Sequence, residues 1–76
     1  MKQSEIDTIF TYHAPKGTQP VKYEEIRELA RNFATRLNEL CPDSREKSLA
    51  ITSLQQAVMW ANAAIAIREN EVKNGP

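Results

Sequence analysis

A single cysteine, Cys41, and a single histidine, His13, leave this 76-residue chain without an internal disulfide and far short of the four ligands of a structural zinc. The acidic residues keep only a weaker oxygen-ligand site formally open. An unpaired thiol suits a reducing cytoplasm. Ten basic residues balance ten acidic ones, for a formal charge of zero, so the overall positive field of a nucleic-acid coat is missing, although local cationic sites remain open. No apolar run is long enough to span a bilayer. The opening "MKQSEIDTIF" carries acidic residues and lacks the apolar core of a signal peptide, so secretion is not indicated. A chain this short buries a modest share of its surface, and without disulfides or metal the remaining route to stability is oligomerisation.

What is present reads as one all-α domain over residues 1–76: a short N-terminal helix, an ordered loop and two long antiparallel helices. The first, "QSEIDTIF", is opened by Ser4 with Asp7 at the capping-box position, and Ile6, Ile9 and Phe10 anchor it. Such a short helix is marginal alone and must lean on another surface. After Phe10, Pro15 and Pro20 remove backbone donors and Gly17 permits a turn, so the segment reads as a connector with extended portions. From about Val21 the spacing turns helical, with Ile26, Leu29, Ala30, Phe33, Leu37 and Leu40 as one buried stripe. Glu24, Glu25 and Glu28 precede Arg31 and Arg36, the order that the helix dipole favours. The sequence "LCPDSRE" then predicts a stop at Pro42 and a restart capped by Asp43, with Glu46 completing the box. A tight turn there makes the two helices antiparallel.

The last helix is expected from about Ser44 to about Glu71. Within its block "AVMWANAAIAI", residues 57–67, only Asn62 is polar. A helix apolar all round needs partners on more than one side. Ala50, Ile51, Leu54, Val58, Ala61 and Ile65 can face the preceding helix, while Ala57, Trp60, Ala64 and Ile67 point to a second flank. One hairpin cannot cover both, so an obligate homo-oligomer is expected. The competing arrangement is a monomer whose N-terminal helix folds back over the second flank. Trp60 accordingly reads as core or subunit interface. A buried Asn62 needs a hydrogen-bond partner and can fix which assembly forms.

Enzyme chemistry needs convergent acid, base or nucleophile groups, and the spacing offers none, so no catalytic residue is expected. His13 beside Tyr12 could serve as a base, but a packing role in the loop is the simpler reading. Cys41, before a proline at a helix stop, reads as a small apolar residue. Ser44, Arg45 and Lys47 sit where a helix-turn-helix would read bases. The strongly apolar remainder of that helix and the zero charge argue against DNA. A small anionic aromatic ligand fits better: bases can stack on Phe10 or Tyr12, and phosphates can pair with Lys16, Lys22 or Arg27, with His13 in the same loop. By spacing alone, the aromatics are equally loop anchors and the cations solvated.

The segments "FTYHAP", "KYEEIRELA", "CPDSREKSLA" and "AVMWANAAIA", in this order over nearly the whole chain, resemble the small phage family known as anti-CBASS protein two. CBASS is a bacterial defence in which cyclic oligonucleotide messengers activate a killing effector. The resemblance implies a sponge that sequesters these messengers uncleaved in the cytoplasm of the infected host, with no cofactor. It implies a compact helical hexamer, with cyclic dinucleotides such as cyclic GMP-AMP between protomers and cyclic trinucleotides in separate sites. The family's stacking tyrosine falls on Tyr12 and its dinucleotide-binding cation on Arg27, where the family can have Lys; the exchange keeps charge but changes fork geometry. The basic residue of the trinucleotide pocket falls on Arg68. His13 and Lys16 belong to the dinucleotide side. Two other readings stand beside this one: a helical structural protein of phage assembly with no nucleotide ligand, and a phosphodiesterase.

Overall fold

The computed structural model describes residues 1–69. Three helices follow in order: α1 Gln3–Ile9, α2 Gln19–Leu40 and α3 Arg45–Arg68, with no strand among the described residues. α2 and α3 form an antiparallel hairpin. At its closed end Lys47 Nζ donates to the Asn38 and Cys41 carbonyls, at 3.2 and 3.3 Å. At its open end Gln19 Nε2 reaches the Ile65 carbonyl.

The turn follows from its residues. Cys41, preceding Pro42, leaves the helix with φ −104° and ψ 140°, the extended conformation that a following proline favours. Ser44 then caps α3, its Oγ accepting the Lys47 N–H at 3.1 Å. This corrects the expected Asp43 and Glu46 box: Ser44 is the cap, and Asp43 instead accepts from Lys47 Nζ at 2.6 Å. Two adjacent residues could each cap, and Ser44, directly before Arg45, takes the position. Ser4 likewise lies inside α1 rather than opening it. Its carbonyl accepts the Thr8 hydroxyl at 2.9 Å, and Lys2 stands at the N-cap without a side-chain bond. α2 starts earlier than expected, with Pro20 in its first turn, where a missing N–H costs no helical bond. The end expected near Glu71 lies outside the described residues.

The seam is the expected one on α3: Ile51, Leu54, Val58, Ala61 and Ile65 are half-buried, and Ala50 alone of that set is exposed. On α2 the half-buried positions are Tyr23, Ile26, Ala30, Ala34 and Leu37. The expected α2 stripe is wider than one neighbour can cover, and Leu29, Phe33 and Leu40 remain exposed. No hydrophobic side chain is fully buried among the described residues, and Trp60 is 77% exposed. α1 buries none of its own residues, and on the second flank Ala57, Trp60 and Ala64 stay exposed while Ile67 is half-buried. Ala57 also lines an apolar groove of about 270 Å³ along the hairpin, with Ile26, Leu29, Phe33, Val58 and Ala61. A two-helix layer presents one seam and two outer faces, so this apolar surface stays open among the described residues.

Candidate functional site

Polar chemistry gathers at the open end of the hairpin, around a glutamine. Gln19 is 5% exposed, and its amide is satisfied on both sides. Nε2 donates to the Ile65 carbonyl at 3.3 Å and to Glu69 Oε1 at 2.9 Å. Oε1 accepts the Lys16 N–H at 2.9 Å, and the Gln19 N–H donates to the Lys16 carbonyl at 2.8 Å. Between them Gly17 takes φ +51°, a region that residues with a Cβ rarely adopt. Lys22 Nζ pairs with Glu69 Oε2. One side chain therefore ties the end of the loop to the start of α2 and the end of α3.

The loop is pinned at its other end as well. His13 Nε2 lies 2.8 Å from the Thr8 carbonyl and must donate its proton there, because a carbonyl only accepts. The Thr11 hydroxyl donates to the Asp7 carbonyl. Across the molecule, the Arg68 guanidinium grips the Glu5 carboxylate, Nη1 to Oε2 at 3.3 Å and Nη2 to Oε1. α1 and α3 are joined there.

The anticipated ligand residues fall into three groups. Tyr12, 83% exposed, presents its ring to solvent from the loop, with His13 held beside it and Lys16 exposed at the turn. Arg27 lies on an outer face of the hairpin and pairs with Glu24. It borders an open cavity of about 350 Å³ with Tyr23, Asn62, Ala63 and Ala66. Arg68 borders another of about 280 Å³ with Ala64, Ile65 and Glu69. Tyr12, His13 and Lys16 line neither of these cavities. Lys22, grouped with Arg27 by spacing, is drawn instead to Glu69.

Asn62 Oδ1 is buried without a hydrogen-bond donor among the described residues, a costly state for a carbonyl. Gln19, Glu5 and Glu69 escaped the sequence reading. Gln19 looked like loop because it precedes Pro20, and its partners lie 46 and 50 residues away.

The carboxylates of these pairs titrate low. The hydrogen bond from Arg68 holds Glu5 below its ordinary value, outweighing desolvation. Bonds from Lys22 and then Gln19 do the same for Glu69. Groups depressed on folding stabilise the fold above their unfolded value, and this contribution is lost as pH falls through the folded one. Acidification below about pH 4.5 is therefore expected to release the Glu5 and Glu69 contacts before the apolar seam. The check is the Gln19 side-chain amide resonance, which should move toward its unfolded position while the Leu54 and Val58 amides stay in place.

Two long helices in a tight hairpin, a short helix latched to its open end, and separate concavities each bordered by an arginine define a small helical-hairpin protein. The Acb2/Tad1 hairpin domain matches residues 1–66, and the chain belongs to that family, the anti-CBASS protein two family. Tyr12, His13, Lys16 and Arg27 lie inside the matched span and Arg68 just beyond it. No curated protein and no solved structure matches the chain.

Proposed function

We propose that the protein is a non-enzymatic phage sponge that binds cyclic di- and trinucleotide immune messengers and keeps them from their effector. The observation that carries this reading is the family match over residues 1–66, which spans the loop, α2 and nearly all of α3. Binding lowers the free messenger by mass action, so an effector that needs it stays off. Neither bond cleavage nor a cofactor is required. The site of action is the cytoplasm of the infected bacterium, where the messengers are made; neither DNA nor a membrane is a partner.

In this reading a purine of a cyclic dinucleotide such as cyclic GMP-AMP stacks on Tyr12, whose ring is exposed, and a phosphate pairs with Arg27. The Glu24 partner of Arg27 is solvent-exposed, and surface pairs are weak enough to exchange for a phosphate. Because Tyr12 does not line the Arg27 cavity of its own chain, the dinucleotide pocket is completed between protomers. His13 and Lys16 frame the loop side. Cyclic trinucleotides bind separately at Arg68. The assembly is a homo-oligomer, a hexamer by family resemblance, and its apolar flanks cover one another. Symmetry then repeats each pocket, giving a small chain high capacity per complex.

Calorimetric titration with cyclic GMP-AMP and with cyclic tri-adenylate tests the proposal, followed by denaturation and chromatography of the released ligand. Saturable binding with intact ligand recovered is expected. Cleaved ligand would mean a phosphodiesterase, and no heat with either would leave the exposed apolar flank to a structural role in phage assembly.

A further inference from the structure

The Arg68 guanidinium already holds an anion. Glu5 meets it end-on with both carboxylate oxygens, Nη1 lying 3.3 Å from Oε2 and Nη2 bonded to Oε1. A phosphate offers a guanidinium fork the same kind of paired acceptors. Carboxylate and phosphate therefore compete for the same donors.

The setting of the pair distinguishes it from the surface pairs of α2. Glu5 and Arg68 are 38% and 39% exposed, against 63% and 65% for Glu24 and Arg27, so water screens their attraction less. Glu69, the carboxylate that lines this cavity, is engaged by Lys22 and Gln19. Glu5 reaches the guanidinium from outside that lining, and it is carried on the element best able to yield. α1 has seven residues, buries none of them and has no side-chain cap; a helix so short has little stability of its own.

We infer that Glu5 is a specificity-determining residue of the Arg68 cavity, a resident anion that any phosphate ligand must displace. The inference rests on the assignment of Arg68 to trinucleotide recognition. Selectivity follows from the exchange. A lone phosphate gives back about what it removes, one ion pair for another. A cyclic trinucleotide adds base and sugar contacts with the cavity wall at Ala64 and Ile65, and this surplus carries binding. Weak anions are excluded by competition rather than by shape. Displacement also frees α1 from α3, so occupancy of the cavity is transmitted to the N-terminal helix.

The test uses the full chain as wild type, Glu5→Gln, Arg68→Ala and the double variant, titrated with cyclic tri-adenylate, adenosine monophosphate and cyclic GMP-AMP, with thermal melting alongside. Glu5→Gln is expected to melt lower, because the pair is lost, and yet to bind cyclic tri-adenylate about five-fold tighter. Adenosine monophosphate should gain at least as much, cyclic GMP-AMP should be unchanged, and the gains should vanish in the double variant. A purely structural Glu5 would weaken stability and binding together. Unchanged or weaker binding of cyclic tri-adenylate by Glu5→Gln, with Arg68 dependence intact, overturns the inference alone. Wild-type affinity in Arg68→Ala overturns the site assignment beneath it and the inference with it. A second measurement needs no variant. On saturating wild-type protein with cyclic tri-adenylate, the Glu5 carboxyl carbon resonance should move to that of a solvated carboxylate; a resonance that stays in place overturns displacement.

Discussion

Trp60→Asp is expected to break the proposed homo-oligomer into single chains that are largely unfolded at micromolar concentration. The indole is 77% exposed in the hairpin, so most of its surface is available to a neighbouring protomer. Burying about 150 Å² of aromatic surface at about 25 cal/mol per Å² contributes about 4 kcal/mol per copy. An ionised carboxylate in that place adds a desolvation cost of its own. The chain has little reserve, because no hydrophobic side chain is fully buried among the described residues. Interface and core are then the same contacts, and folding and association are lost together. Sedimentation velocity with circular dichroism measures both at once. A Trp60→Asp protein that sediments and folds like wild type would place the subunit interface elsewhere.

Tyr12→Ala should remove most cyclic GMP-AMP affinity while leaving assembly intact. Aromatic–base stacking contributes about 1–3 kcal/mol per base, which corresponds to a loss of roughly five- to 150-fold. The ring is 83% exposed and holds no part of the hairpin seam, so its removal has little to destabilise. Tyr12→Phe keeps the stacking surface and should bind nearly as wild type. Cyclic tri-adenylate binding should be unaffected by either, since Tyr12 does not line the Arg68 cavity. Calorimetry on the two variants decides the matter, and unchanged dinucleotide affinity in Tyr12→Ala would remove the residue from the site.

The two arginines differ in the partner each one holds. Arg27 pairs with Glu24 three residues away on its own helix, both well exposed, and such pairs contribute little. Arg68 pairs with Glu5 across 63 residues, in a less solvated setting. In the proposed function, a phosphate arriving at Arg27 would exchange with a weak local partner, whereas one arriving at Arg68 would have to release a tertiary contact. The same residue type would then make an open site in one place and a guarded one in the other.

The sequence by itself determined what depends on neighbours within one helical turn. Pro42 ends α2, Gly17 takes the turn that needs positive φ, and the spacing of Ile51, Leu54, Val58, Ala61 and Ile65 marks the α3 seam. It also carried the family, because four separated segments resemble one pattern and the match covers residues 1–66. Tertiary structure decided which of several locally adequate options is used. Asp43 and Ser44 can both cap, and Ser44 does. The α2 stripe could face either side, and the chain reversal half-buries Ile26, Ala30 and Leu37 while leaving Leu29, Phe33 and Leu40 outside. Gln19 becomes the clamp of the loop only because the hairpin brings Ile65 and Glu69 beside it, and Glu5 reaches Arg68 for the same reason. Capping and helical periodicity are set by interactions three or four residues apart, so they are written locally; the partner of a buried amide or an arginine is chosen by where the chain returns.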